Sequence, residues 1–317
     1  MVYSGIGGQA VMEGVMMRNS DRYAVAVRRT DGSIHVEKKR WEQKEDWCHK
    51  VPILRGVFQF FTSLVMGMST LMDSAALLDE EPQQVLTKEE EAKKKKKEQA
   101  EMTGTLLLAV VLAVVIFMLL PYYFSVFVGK YLVSKSLVAL VEGVFRLVIF
   151  VGYVLAISLM EDMRRVFMYH GAEHKCINCI EQGKELTVEN VRQSSRQHKR
   201  CGTSFLLFVL LISVVVFMFI RFDSRWLQLL CRLLLIPLIA GISYELIRFA
   251  GRSDHKIIQW ISKPGLWLQN LTTREPDDAM IEVGMASVEA VFDWRAFQEE
   301  HRSEFSTQES CNSSMER

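Results

Sequence analysis

A five-residue segment near the middle of the chain has the residue types and spacing of a metal site. His170 and His174 flank Glu173 in the pattern H-x-x-E-H, and a helix would place both imidazoles one turn apart on one face. Two such imidazoles can share a divalent metal, with Glu173 beside them as general base for a water. Such short patterns also arise by chance, and the alternative is that these side chains only cap a helix end. The pattern alone therefore leaves metal binding and helix capping both open, and it indicates hydrolysis less strongly than metal binding.

Further metal-competent side chains follow within about thirty residues, and they allow two groupings. A closed structural zinc site would use Cys176, Cys179, His198 and Cys201. An open site would use His170 and His174 with a third ligand such as Glu189 or His198, leaving one position for water. The first grouping stabilises a loop and the second activates a nucleophile, and spacing alone does not choose between them.

The N-terminal segment Gly7–Arg18 is rich in glycine but lacks the G-K-[ST] ending of a P-loop and the fingerprint of a dinucleotide site. Its Glu13 and Arg18 would either reach into a shared site or pair with each other. The alternating stretches 22–28 and 34–37 follow it, separated by Thr-Asp-Gly-Ser, and this pattern predicts a β-hairpin.

Apolar residues make up 50% of the 317-residue chain and are concentrated in long runs without charge. Four runs are long enough to cross a bilayer, so the sequence predicts a mainly α, polytopic membrane protein. The four predicted spans are 105–128, 137–160, 204–220 and 226–247. In the second span Glu142 and Arg146 lie four residues apart and can pair, whereas Arg232 and Glu245 lie near the ends of the fourth. Residues 52–71 mix apolar and polar side chains, which predicts an interfacial or re-entrant helix over 51–78.

Lysine and arginine counts predict the orientation in the membrane. Residues 1–50 hold nine, residues 88–101 six and residues 161–203 eight, whereas the short loops 129–136 and 221–225 hold two each. The positive-inside rule then places both termini and the 161–203 loop in the cytoplasm. Four spans satisfy that arrangement and a fifth at 52–71 would break it.

The segments outside the spans complete the predicted organisation. Residues 1–50 form the glycine-rich segment and hairpin, 79–104 a charged linker, 105–160 the first two spans, 161–203 a cytoplasmic loop with the metal-competent residues, and 204–247 the last two spans. Residues 248–302 are predicted as a cytoplasmic helical region, with a turn-rich connector at 264–276 and an amphipathic helix over 280–297, and 303–317 as a disordered tail. The lysine run at 93–97 lacks interleaved aromatic residues, which favours a lipid-facing tether and argues against nucleic acid as a partner.

Five motifs in order resemble the YqhQ-like family of bacterial membrane proteins. They are Gly7–Arg18, His170–Lys175, Leu186–Val191, Arg200–Thr203 and Pro264–Gln269, and the resemblance extends over about residues 5–292. The family has no established function and is regarded as a group of candidate metal-dependent enzymes. The resemblance therefore implies a protein of the bacterial inner membrane with a divalent metal, for which zinc is the first expectation.

The chain departs from the family pattern at two places. Lys199 stands where the family has proline, and the Cys176-x-x-Cys179 pair is not part of the pattern. The resemblance thus moves the expected ligand set to His170, His174 and His198. Residues expected to assist are Glu173 or Glu189, Cys201, Glu13 and Arg200.

Three functions compete at this point. The leading one is a membrane metalloenzyme, a hydrolase of peptide or lipid-derived substrates, in which Glu173 is the catalytic base. The second is a non-enzymatic membrane scaffold or assembly factor with or without a structural metal. Transport ranks third because one intramembrane pair, Glu142 and Arg146, is little for a pathway and four spans would require a homo-oligomer.

Overall fold

A computed structural model describes residues 2–41, 50–78, 88–132, 134–220, 222, 224–250 and 256–306. Residues 79–87 of the predicted linker and 307–317 of the predicted tail lie outside this part of the chain. Contacts divide the chain into two compact units. Unit 1 comprises Met1–Leu78, Leu155–Val209 and Pro237–Arg317, and unit 2 comprises Asp79–Val154 and Leu210–Ile236.

The chain is mainly helical, with a small antiparallel sheet at its N-terminus. The strands are β1 Gly7–Val11, β2 Gly14–Asn19, β3 Arg22–Arg28 and β4 Ile34–Arg40. The helices are α1 Leu54–Leu78, α2 Lys88–Val114, α3 Leu120–Val128, α4 Lys135–Ser158, α5 Glu161–Glu181, α6 Val188–Gln193, α7 Gly202–Phe219, α8 Arg225–Ala250, α9 Lys256–Thr272, α10 Asp278–Val291 and α11 Trp294–Glu300. A π-helical turn, Val115–Leu119, joins α2 to α3 without a break.

Five helical segments of the described chain are long and apolar enough to cross a membrane, which fits a multi-pass membrane protein. They are Leu54–Leu78, Thr103–Val128, Ser136–Ser158, Gly202–Phe219 and Trp226–Ala250. Four of them coincide with the predicted spans. The fifth is α1, so by length and composition the candidate spans number one more than the four that the sequence predicts.

The predicted hairpin is only half of the N-terminal sheet. The strand order is β1-β2-β3-β4, and every neighbouring pair is antiparallel. The sequence does not predict the hairpin of β1 and β2, because its two-residue turn, Met12-Glu13, contains no glycine, asparagine or aspartate. Glu13 nevertheless has a φ of +48°, a conformation that side chains other than glycine and asparagine rarely adopt.

The core of unit 1 lies between the sheet, α5 and α10. Val15, Met17 and Ala26 of the sheet pack with Tyr169 and Ile177 of α5, and with the buried α10 residues Met280, Ile281 and Val283. This packing corrects three predictions. The 161–203 loop is largely the two helices α5 and α6, the connector at 264–276 is largely the end of α9, and the helix expected over 280–297 is divided into α10 and α11. Tertiary burial favours helix where local sequence indicated turns.

Unit 2 contains a buried cluster of three charges. Glu142 and Arg146 of α4 pair at 2.9 Å, as their spacing predicts, and Arg232 of α8 donates two hydrogen bonds to the same carboxylate at 2.5 and 3.1 Å. The three residues are 2–4% exposed. A charge near the end of a span can reach the interface, but Arg232 lies inside because Glu142 can compensate for its charge there.

Candidate metal centre

Helix α5 presents His170 and His174 on one face, with their ring centroids 4.4 Å apart. Glycine at position 171 makes room for the chain that follows α9. A Cβ there would lie 2.0 Å from the Arg274 carbonyl oxygen, and the Arg274 N–H donates to the Phe167 carbonyl at 2.8 Å. The small residue inside the H-x-x-E-H pattern therefore lets the segment after α9 lie directly against α5.

Both imidazoles are oriented by backbone carbonyls. His170 Nδ1 lies 2.8 Å from the Thr272 oxygen, and His174 Nδ1 lies 2.6 Å from the Arg196 oxygen. Because a carbonyl only accepts, each Nδ1 carries a proton, and Nε2 is the ring atom that a metal could bind. Metal-binding histidines commonly have this outer hydrogen bond, which fixes the tautomer.

The third member of the group is Cys201, one residue before α7. His170 Nε2 lies 3.2 Å from Cys201 Sγ, and one ligand atom each from His170, His174 and Cys201 lie within 4.8 Å of one another. A tetrahedral zinc with its usual bond lengths would hold nitrogen and sulfur about 3.5 Å apart. In the part of the chain that the structure describes, this is the group of three side chains whose ligand atoms lie close enough together to hold a metal ion.

The electrostatics of this group also suit a cation. Burial alone would raise the pKa of the Cys201 thiol, but the two neighbouring imidazoles lower it well below its usual value. For His170, burial opposes protonation, yet Cys201 and Glu173 raise its pKa to about 9. The three side chains together thus favour a thiolate with positive charge beside it, and a divalent metal would supply that charge in place of protons.

Polar side chains of α5 hold the segment that leads to Cys201. Lys175 Nζ donates to the Arg192 and Ser194 carbonyls at 2.8 and 3.0 Å, and Asn178 Nδ2 donates to the Ser195 and Gln197 carbonyls at 2.7 and 2.9 Å. Lys175 and Asn178 are buried, so each of these bonds replaces water that would otherwise solvate the backbone. The loop path, and with it the position of the thiol, follows from this anchoring.

His198 is a predicted ligand that lies next to the group but outside it, with its ring centroid 5.6 Å from that of His174. Its Nε2 lies 3.6 Å from a Glu181 carboxylate oxygen, and its backbone N–H and carbonyl both bond to the Gln269 amide at 2.8 Å. Burial would raise the pKa of Glu181, but His198, Arg200 and the Ser4 backbone lower it to about 2. Arg200, predicted as an assisting residue, contacts this carboxylate rather than the metal group.

Glu173 lies beside the ligand group but is not part of it. One carboxylate oxygen is 3.9 Å from His170 Nε2, and its side chain is 6% exposed. Strand β1 approaches closely here, because a Cβ on Gly8 would lie 2.9 Å from Glu173 Cγ. The glycine-rich N-terminus therefore confines the carboxylate next to the imidazole that a metal would use.

The remaining predicted assisting residues lie elsewhere. Glu189 is on the exposed side of α6, where its pairing partner is Arg192 at 3.2 Å. Glu13 pairs with Arg165 and accepts a hydrogen bond from Tyr169 at 3.3 Å. This anchoring of Glu13 to α5 accounts for the positive φ of the β1–β2 turn, because the side-chain contacts offset the backbone strain.

Cys176 and Cys179 face the apolar core and not the other predicted ligands of a closed site. A Cβ on Gly284 of α10 would lie 3.0 Å from Cys176 Sγ, and Cys179 Sγ is 3.4 Å from the Glu185 carbonyl oxygen. Burial raises the pKa of both thiols, that of Cys179 to about 11. The structure thus does not bring Cys176, Cys179, His198 and Cys201 into one group.

Several residues that build the site were not singled out from the sequence: Thr272, Lys175, Asn178, Glu181 and Gln269. Lys175 and Gln269 do occur in the quoted motifs. A prediction of helix over 161–181 would have indicated Asn178 and Glu181 as well, because positions 170, 174, 178 and 181 recur at helical spacing and form one polar face.

The comparisons with known proteins give a family and no activity. A family described as "Protein of unknown function (DUF1385)" matches residues 51–294. The "Uncharacterized protein YqhQ" of Bacillus subtilis (strain 168) is 35% identical over 301 residues, which covers 93% of this chain and 95% of that protein. No solved structure matches.

Proposed function

Since the chain belongs to the DUF1385 family, whose function is unknown, we propose its activity from the site itself: a membrane metalloenzyme of the hydrolytic class. The observation that carries the proposal is the convergence of His170, His174 and Cys201 within 4.8 Å. Three protein ligands are the number found in catalytic zinc sites, which keep a fourth position for water or substrate.

Each residue of the site has a role in this proposal. The two imidazoles and the thiolate would hold the metal, with Cys201 in the place that the family resemblance implies for His198. A divalent metal there would supply Lewis acidity, which polarises a substrate carbonyl or phosphoryl oxygen and acidifies water. Glu173 accepts the proton of the attacking water, because its carboxylate lies 3.9 Å from a ligand nitrogen and is confined there by β1.

The site operates at a membrane surface. Cys201 directly precedes α7, a helix of 18 apolar-rich residues that is a candidate span. The end of α4 is likewise separated from α5 by only two residues. Together with the lysine and arginine excess of 161–203, these connections support a cytoplasmic location at the bacterial inner membrane, and substrates that are peptide or lipid-derived.

The test uses purified full-length protein in nanodiscs and generic probes: a chromogenic ester, a phosphodiester and a fluorogenic peptide. We expect zinc-dependent turnover of one probe that His170→Ala abolishes. Glu173→Gln should retain the metal and lose about 10²- to 10⁴-fold in rate, the usual contribution of a general base. Glu189→Gln is the matched control because Glu189 is exposed and paired elsewhere. Full turnover by Glu173→Gln, in an assay that His170→Ala abolishes, would contradict the proposal.

The second candidate is a scaffold with a structural metal. The observation in its favour is that the ligands join three elements: α5, the segment before α7, and the end of α9 through the Thr272 carbonyl. A metal would therefore hold these three elements together. This function predicts that Glu173→Gln leaves every property intact while His174→Ala lowers thermal stability, which separates it from the enzyme.

A further inference from the structure

Helix α1 has its polarity reversed relative to a helix of a soluble protein. The residues that it buries are small or polar, namely Gly56, Thr70 and Ser74 together with Met66. Its opposite face is apolar and exposed along the whole helix, at Leu54, Phe61, Val65, Met68 and Met72, which are 36–60% exposed. Such a continuous apolar stripe requires an apolar partner.

The metal-ligand group, which is His170, His174 and Cys201, belongs to unit 1, and the buried face of α1 packs against other elements of the same unit. Near its start, Arg55 pairs with Glu245 of α8, and the ring of Phe60 lies 5.5 Å from that of Phe205 in the first turn of α7. Near its end, the Met12 N–H donates to Ser74 Oγ at 3.2 Å, and Lys39 of β4 pairs with Asp73 at 2.8 Å.

These contacts are incompatible with a helix that crosses the bilayer. Twenty-five residues span about 37 Å, so the ends of a crossing α1 would lie on opposite membrane faces. Both ends of α1 instead lie on the side of the site. Its start contacts Phe205 in the first turn of α7, directly after the site residue Cys201. Its end contacts the sheet, whose Gly8 lies against Glu173. Gly56 lies against Gly241, nine residues before the end of α8. Nine residues of helix measure about 14 Å, so this contact lies within one leaflet of the bilayer.

Helix α9 presents a second exposed apolar face in the same unit. Trp260 and Trp267 lie two turns apart and are 71% and 55% exposed, with Pro264 exposed between them and Lys263 beside them. On its buried side, Gly265 packs against Ser204 of α7. Tryptophan and lysine at the end of a membrane span are typical of the interface between headgroups and acyl chains.

We propose that α1 and α9 lie in one leaflet of the bilayer, on the side of the metal-ligand group, and that α1 does not cross the membrane. The occupant of both exposed faces is glycerophospholipid. α1 and α9 flank the first turn of α7, which is itself a candidate span, so lipid that surrounds α7 reaches both helices.

One consequence concerns membrane topology. If α1 remains on one side, the crossing helices number four among the candidate spans. The sheet and both ends of α1 then lie on the same membrane face, although α1 is long and apolar enough to span.

The first test asks what covers the stripe. The photo-crosslinking residue p-benzoylphenylalanine replaces Phe61 in the full-length protein in cells, with Val111 of a span as the lipid-facing control and Glu189 as the exposed polar control; their exposures are 52% for Phe61 and 56% for Val111. We expect lipid adducts by mass spectrometry at positions 61 and 111 and none at 189. A crosslinked dimer at position 61 would mean that a second copy covers the stripe and would overturn the proposal.

The second test asks whether α1 crosses. A protease-cleavable tag is inserted after Asp31, in the β3–β4 turn, or after Leu78 in the full chain. We expect both tags to be cut in membrane vesicles of the same orientation and protected in vesicles of the other. Cleavage of the two tags from opposite sides would show a crossing α1 and would contradict the inference even if lipid adducts form.

Discussion

The substitution Gly171→Ala tests how closely the segment after α9 approaches α5, the helix that carries His170 and His174. An added Cβ would lie 2.0 Å from the Arg274 carbonyl oxygen, whereas ordinary contact begins at 3.4 Å, so one of them must move by the difference, 1.4 Å. That movement disrupts the 2.8 Å hydrogen bond between Arg274 and Phe167, which is worth about 1 kcal/mol. Overpacking costs about 1–3 kcal/mol.

Alanine also favours a helix interior over glycine by about 1 kcal/mol, so the expected net loss for Gly171→Ala is about 1–3 kcal/mol. The assay is thermal unfolding of the purified protein in detergent, with zinc retention measured in parallel. Zinc retention should fall as well, because Thr272, which orients His170, lies two residues before Arg274.

Gly152→Ala is the matched control, since Gly152 is also inside a helix and a Cβ there meets nothing within 4 Å. It should leave the zinc content unchanged and raise stability by at most about 1 kcal/mol, the helix preference of alanine over glycine. Wild-type stability of Gly171→Ala would refute the reasoning, because it would mean that the segment after α9 does not lie against α5 as described.

Two further predictions concern buried charges. Glu142→Gln leaves Arg146 and Arg232 buried without an anionic partner, so we expect a loss of about 3–5 kcal/mol of stability, measured as a large drop in unfolding temperature; an unchanged temperature would show that Glu142 does not compensate for both cations. Glu181 has its folded-state pKa lowered to about 2, so its stabilising contribution is complete above the ordinary carboxyl pKa near 4.5 and is lost as the pH falls from there toward 2. Wild-type protein should therefore lose more stability over that interval than Glu181→Gln, and parallel pH profiles would contradict the assignment.

The sequence predicts the parts of this protein that depend on local pattern. The four long apolar runs are candidate spans because a helix that rises 1.5 Å per residue crosses a bilayer in about 20 residues. The H-x-x-E-H spacing places two imidazoles on one helical face because a helix has 3.6 residues per turn. Family membership likewise follows from motifs that stand in order along the chain.

The parts that the sequence does not predict depend on contacts between distant segments. His198 and Cys201 are three residues apart, and which of them joins His170 and His174 depends on how Lys175 and Asn178 anchor the loop. The β1–β2 hairpin is similar, since its turn residue Glu13 is held by Arg165 of α5. Arg232 is a third case, because its partner Glu142 lies on another helix.

The zinc content of the purified protein, measured by mass spectrometry alongside three variants, tests most directly whether His170, His174 and Cys201 hold a metal. We predict about one equivalent in the wild type, its loss in Cys201→Ala, and its retention in His198→Gln and in Cys176→Ser/Cys179→Ser. Retention of zinc by Cys201→Ala together with its loss from the Cys176/Cys179 variant would place the metal elsewhere and contradict the site described for this chain.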